Sequence, residues 1–273
     1  MKKRRPIKKS RSKNAARRGA AILLTVVALL SFAIYHYRES LAHYFSFRTR
    51  SVEEERLTEL HNFQVLSVHG DKSIGFDVSE YQGVVNWFQV DSVEGAFKLD
   101  FVFLRATAGK DVVDKRFADN WAGAGRAGFL RGAYHYYRPN ENSYEQADNF
   151  IKTVHLKEGD LPPVLDIEKL PEEQSLDSLK VGLRRWLTRV EKHYGVKPII
   201  YSGDSYYNDF LKAEFSEYAF WIANYNFFVE EIDPCWTFWQ FTEKASVPGV
   251  LGEVDVNIFN GTRAELQNRA IRK

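Results

Sequence analysis

Four carboxylates stand out by where they sit. Asp166 and Glu168 are one residue apart in PPVLDIEKL, residues 162–170, an apolar run that opens with two prolines. Asp77 lies in GFDVSEYQG and Asp255 in EVDVNIF. Runs of this composition go into a core, and charged side chains go there only when something pairs or uses them. Strand side chains alternate, so Asp166 and Glu168 share one face while Leu165 and Ile167 take the other. In the same way Asp255 and Asn257 oppose Val254, Val256 and Ile258. If the four acids meet, repulsion and desolvation raise at least one pKa, and one carboxyl keeps its proton beside ionised partners. That combination suits cleavage of a glycosidic bond. The acid protonates the leaving oxygen, and the carboxylates stabilise charge on the sugar ring or orient a water.

Three other readings fit the same acids. They could hold a divalent metal, as in a phosphodiesterase-like barrel hydrolase. They could cap helices or pair with Arg105 or Lys110. They could line a glycan-binding barrel without catalysis. The metal reading wants His ligands or phosphate-binding cations at the strand ends, and only His135 stands near one, so no metal and no cofactor is expected. His135, flanked by two tyrosines and without a partner His or Cys, reads as structural.

The elements that must carry these acids form a repeated pattern. Strand-like runs occur at 73–78, 100–107, 129–137, 163–168, 198–202, 219–225, 236–241 and 254–259. Helical spacing of apolar residues lies between most of them, at 115–127, at 143–155 with Asn142 or Ser143 as cap, and most clearly at 175–194. Such alternation predicts a single closed β/α barrel with its site at the C-terminal strand ends. First and last strands are then neighbours, which sets Asp77 beside Asp255 with Asp166 and Glu168 across the mouth. GAGRAG, residues 123–128, imitates a dinucleotide fingerprint. Here the glycines close a helix and lead into a strand, the reverse of what that loop requires, so they read as a helix end and turn.

Composition limits the rest. Of 273 residues, 15% are aromatic, which fits either a dense core or a sugar-binding surface. The single cysteine, Cys235, excludes an intrachain disulfide and a Cys-based metal cluster, and it reads as a small buried side chain. The net charge of +2 hides an asymmetry: residues 1–18 hold ten Lys/Arg and no acid, leaving 28 basic against 36 acidic residues beyond them. Residues 19–37, GAAILLTVVALLSFAIYHY, carry no charged side chain and are long enough to cross a bilayer. The basic flank before them predicts an N-terminus inside and everything beyond residue 38 outside. The run is longer than a usual signal-peptide core and no A-x-A-like site follows, so it reads as an uncleaved anchor. The expected order is a basic tail (1–18), a membrane helix (19–37), a polar connector with a short amphipathic helix (38–70) and the barrel (71–273). With a membrane span following it, the tail is not expected to bind nucleic acid.

Residues ~72–262 resemble the family 25 glycoside hydrolases, the lysozymes (N-acetylmuramidases) of bacteria, phages and some fungi. The blocks that carry the likeness are, in order, GFDVSEYQGVVNW, FVFLRATAGKDVVDKRFADNWAGAGRAGFLRGAYHYYRP, PPVLDIE, PIIYSG, FWIANYN, WQF and VDVNIF. The resemblance implies a flattened barrel with some helices short or missing. It implies hydrolysis of the β-1,4 bond between N-acetylmuramic acid and N-acetylglucosamine in peptidoglycan. It makes Glu168 the proton donor and Asp166 its partner, assisting either the substrate's own N-acetyl group or direct attack by water, with Asp77 and Asp255 completing the cluster. Tyr81 stands where the family often has Trp. With Gln82, Tyr136, Tyr201, Trp221 and Gln240, it is a candidate for holding sugar. The whole reads as a monomeric, single-pass enzyme of the bacterial cytoplasmic membrane, with its catalytic domain on the outer side.

Overall fold

The computed structural model describes residues 52–272, together with Gly19, Leu23, Val26, Val27, Leu29 and Ser31. The basic tail, most of the expected membrane helix and residues 38–51 of the connector lie outside the described residues. Among the described residues no helix is long and apolar enough to cross a membrane. The chain divides into two units, Met1–Arg56 and Leu57–Lys273.

The second unit is built on eight strands: β1 (Ser73–Val78), β2 (Phe101–Ala108), β3 (Leu130–Tyr136), β4 (Val164–Asp166), β5 (Ile199–Gly203), β6 (Ala219–Ala223), β7 (Phe238–Ala245) and β8 (Val254–Phe259). Each pairs with the next, and β1 pairs with both β2 and β8, so the sheet closes into a barrel. All pairings in the ring are parallel except those of β8, which runs antiparallel to β7 and β1. The reason is chain length. Only eight residues separate β7 from β8, and a parallel return needs a crossover of about a dozen or more.

Helices α2 (Phe117–Arg126), α3 (Ser143–Thr153), α4 (Leu176–Tyr194) and α5 (Arg263–Arg269) cover part of the outside. The α4 helix shows why the sequence folds this way. Ser175 caps its start by accepting from the Ser178 N–H, and Gly195 ends it at φ +71°. Leu179, Leu183, Trp186, Leu187 and Val190 form its buried stripe. Asn142 is the cap of α3, accepting from the N–H groups of Tyr144 and Glu145. The GAGRAG segment ends α2 and turns at Gly128.

Other connections are less regular, and β5 leads into a short helical turn, Asp204–Tyr206, that continues as a π-turn, Tyr207–Leu211. A 3-10 turn, Glu80–Gln82, and a small ribbon pairing Ser92–Val93 with Phe97–Lys98 link β1 to β2. Among the described residues, no helix lies between β6 and β7. That loop carries Cys235, which is exposed instead of buried. It sits in a tight turn where its N–H donates to Asp233 Oδ1 at 2.7 Å, and this aims the side chain outward.

The connector also differs from expectation. Helix α1 (Val52–Val68) buries His61, Asn62, Val65 and Leu66. Together with buried His69 just beyond it, these recur at helical spacing. The compact unit that holds the barrel takes in this helix from Leu57 onward.

Two cores result. Leu165, Ile167, Val254, Val256 and Ile258 face outward under the helices, the parity read from the sequence. Phe101, Phe103, Trp221, Phe238 and Phe259 fill the barrel interior. Two inward glycines make room for them. A Cβ on Gly75 would come within 2.5 Å of the Phe101 ring, and one on Gly132 within 2.4 Å of Phe103. This aromatic plug is the floor on which the site rests.

Candidate active site

Asp77, near the end of β1, pairs in register with Asp255, near the start of β8. The antiparallel sense of β8 is what brings them together. A parallel last strand would have carried Asp255 to the other end of the barrel. Asp77 is buried, and its Oδ2 accepts from Gln240 Nε2 and from Asn257 Nδ2, each at 2.8 Å.

Both amides are themselves held. Gln240 Oε1 accepts from the Tyr201 hydroxyl at 2.8 Å and from the Tyr225 hydroxyl. Asn257 Oδ1 accepts from Trp221 Nε1 at 2.8 Å, and the Trp221 ring stacks on Phe103 with centroids 4.7 Å apart. The aromatic plug thus orients the amides, and the amides orient Asp77.

Asp166 ends β4 and is buried, whereas Glu168 lies two residues beyond the strand and is exposed. The segment is still held at Ile167, whose N–H donates to the Tyr201 carbonyl at 3.0 Å and whose carbonyl accepts from Ser202 Oγ at 2.6 Å. Asp166 and Glu168 lie close enough to interact electrostatically. Burial first, and then the Glu168 charge, hold Asp166 well above the ordinary carboxylate range. Its Oδ1 has no protein partner.

Burial and the neighbouring Asp255 hold Asp77 well above its ordinary range too. Asp255, in register with Asp77, is pushed up to about 7, by burial first and then by the Glu243 charge. Each of the two pairs therefore tends to keep a proton at neutral pH. Arg105 lines the mouth and its charge opposes the rise at Asp166, but its hydrogen bonds go to other acids. It bonds Asp114 at 2.9 Å and Glu80 at 3.2 Å, and its guanidinium lies 4.6 Å from the Tyr81 ring centroid.

Two cavities meet at the acids. One, of about 200 Å³, is lined by Asp77, Asp166, Glu168 and Asp255 with Tyr225 and Glu243. The other, of about 230 Å³, reaches past the same four acids to Tyr81, Gln82 and Tyr136. Tyr81 is a rim residue, 81% exposed. Tyr201, Trp221 and Gln240 line the first cavity, but their polar atoms are spent on the network that holds Asp77. His135 is buried on the outer side of β3, between Thr107 Oγ1 at 2.7 Å and Gln146 Oε1 at 3.2 Å, stacked on Trp186.

Tyr134, Tyr225, Asn257 and Glu243 were not among the candidates. Tyr134 shares its face with Tyr136, and Asn257 with Asp255, so alternation marks both. Glu243 was not legible, because the β7–β8 register shifts between Gln240 and Thr242 and again before Ala245. Among the described residues, no three His, Cys, Asp or Glu side chains converge as metal ligands.

Comparison with known proteins follows this geometry. The family description "Glycosyl hydrolases family 25" matches residues 76–250. A protein of Escherichia coli O157:H7 called YegX, described as uncharacterized, is 34% identical over 92% of this chain and 94% of its own length. Lysozyme M1 of Streptomyces globisporus is 35% identical over 70% of this chain and 69% of its own length. The crystal structure of a bacterial lysozyme from Streptomyces coelicolor superposes with a TM-score of 0.65 at 32% identity, covering 73% of this chain and 97% of that one.

Proposed function

This chain belongs to family 25 of the glycosyl hydrolases, and on that premise we propose that it is a muramidase whose acid is Glu168. It hydrolyses the β-1,4 bond between N-acetylmuramic acid and N-acetylglucosamine in peptidoglycan. The observation that carries the roles is the Asp166–Glu168 pair where the two cavities meet. A glycan laid across both cavities puts its scissile bond over this pair.

Glu168 is the exposed member and reaches the leaving oxygen. The proton that the pair keeps is the one delivered there. Asp166, buried below, then carries the negative charge that faces the developing positive charge on the sugar. Asp166 lines both cavities, where its carboxylate suits the N–H of a 2-acetamido group. Holding that group aims its carbonyl at the anomeric carbon, the substrate-assisted course. Asp77 and Asp255 keep a second proton, so the mouth carries less than four negative charges.

The test is to incubate the purified full chain with purified peptidoglycan. Muropeptides ending in reducing muramic acid are expected, and Glu168→Gln should abolish their release. Binding without release by the wild type would favour a glycan-binding barrel. Activity that needs added metal and survives Glu168→Gln would overturn the mechanism.

Residues 1–37 support a second part of the proposal. A basic tail followed by an uncharged apolar run would tether the barrel to the outer side of the cytoplasmic membrane, beside its polymer. Protease added outside spheroplasts should then digest the barrel, and protection there would reverse the orientation.

A further inference from the structure

Helix α1 lies before the family match, which starts at Phe76. It nonetheless touches the parts of the barrel that wall the first cavity. The His61 ring stacks on Phe227, with centroids 4.5 Å apart and an interplanar angle of 26°. Gln64 Nε2 donates to Glu230 Oε1 at 2.8 Å. Just past the helix, His69 Nε2 accepts from the Ile232 N–H at 3.3 Å, and its Nδ1 bonds the Val65 carbonyl at 2.8 Å. These contacts hold the β6–β7 loop, which has no helix of its own.

A second grip falls on the end of β7. Asn62 is fully buried, and its Nδ2 donates to the Lys244 carbonyl at 3.0 Å and to Glu94 Oε1 at 2.9 Å. Lys244 follows Glu243, and the β6–β7 loop begins with Asn224 and Tyr225. Glu243 and Tyr225 both line the cavity beside Asp77 and Asp255. The His69 ring also packs edge-on against Trp239, whose Nε1 donates to the Asn224 carbonyl at 2.9 Å.

We propose that α1 is a positioning element of the active site, with His61 and Asn62 as its positioning residues. It supplies the helix missing between β6 and β7 and fixes the wall formed by Tyr225 and Glu243. Free of that clamp, the loop samples more conformations, and substrate binding must order it. The segment joining the barrel to the rest of the chain therefore sets how well the cavity holds sugar. The inference rests on the muramidase reading for its kinetic part only.

The test uses the full chain with His61→Ala, Asn62→Ala and the conservative His61→Phe, which keeps a stacking ring. Leu266→Ala, a buried change on α5, serves as a control for destabilisation that does not touch α1. On soluble glycan strands, KM should rise about five-fold in the alanine variants with kcat nearly unchanged, the pattern of lost binding. His61→Phe should restore it. Amide exchange across residues 224–232 should quicken in the alanine variants, and not in Leu266→Ala although its melting temperature falls. Unchanged exchange in that loop, whatever the melting temperature does, overturns the inference. A wild type that releases no muropeptides overturns the muramidase reading instead, and the exchange result still decides the role of α1.

Discussion

The barrel holds two buried polar clusters built on nearly adjacent strands, and they are opposites. On the outer side, His135 sits between a hydroxyl and an amide, and Gln146 Oε1 also accepts the Arg138 N–H at 2.9 Å. Burial holds His135 down at about 3, so it stays neutral. At the mouth, four acids share two cavities, three of them with raised pKa values, and one buried oxygen has no partner. The outer cluster is uncharged and both ring nitrogens of His135 are paired, although the neighbouring Trp186 Nε1 has no partner; neutral, paired groups of this kind support a fold. The inner one is left frustrated, and strain of that kind persists where function uses it.

The sharpest way to break this contrast is at Glu168. Glu168→Gln keeps shape and hydrogen bonding but cannot give up a proton. Release of reducing-end muropeptides should fall by roughly 10²–10⁴-fold, the usual worth of general acid catalysis, while the melting temperature holds or rises. A loss below ten-fold would move the acid elsewhere in the cluster.

Gln240→Ala comes next. It removes one of two donors to Asp77 and leaves two phenols without their acceptor. A hydrogen bond to a charged group is worth about 1.5–3 kcal/mol, so kcat should fall about ten-fold or more. Gln240→Glu would put a further carboxyl against Asp77 and should do worse, with its activity recovering only toward acid pH.

How much of this was legible depends on which residue is asked. Alternation alone put Asp166 inward and Leu165 outward, because a two-residue period has no freedom once one face is buried. The eight strands and three of the helices were visible for the same reason. Glu168 was read as part of the strand, yet β4 stops at Asp166, since strand ends depend on partners that periodicity does not encode. Asp255 arrived beside Asp77 through an antiparallel strand, and the short β7–β8 link could have announced it. The reach of α1 could not be foreseen. Its partners, Glu94, Phe227 and Lys244, are distant in sequence.

A smaller effect, and one of unusual sign, is expected at Asp255. Its folded pKa of about 7 exceeds the unfolded value of about 3.9. Between those two values the folded state binds more protons, so wild-type stability declines as pH rises from ~4 to ~7. Asp255→Asn removes that decline. Its melting temperature should exceed that of wild type by several degrees at pH 8, with the gap closing near pH 4, while muropeptide release falls. A variant less stable than wild type at pH 8 would mean that the mouth is not frustrated and that the contrast with the outer cluster is false.

The smallest effect on activity is expected from His135→Gln. The folded pKa of about 3 lies below the unfolded value of about 6.5. The unfolded state therefore binds more protons between those values. The stability that neutral burial gives is complete above pH ~6.5 and drains away as pH falls toward 3. Glutamine has no such proton to take up, but it fills the site poorly and leaves Trp186 without its stacked ring. Thermal melts should show a loss for the variant at pH 7 and a shallower acid decline than wild type, with the two curves converging as pH falls. Glycan cleavage per folded molecule should stay within about two-fold, because no hydrogen bond runs from His135 to the four acids. A large loss of kcat would tie the outer cluster to the mouth and dissolve the distinction between them.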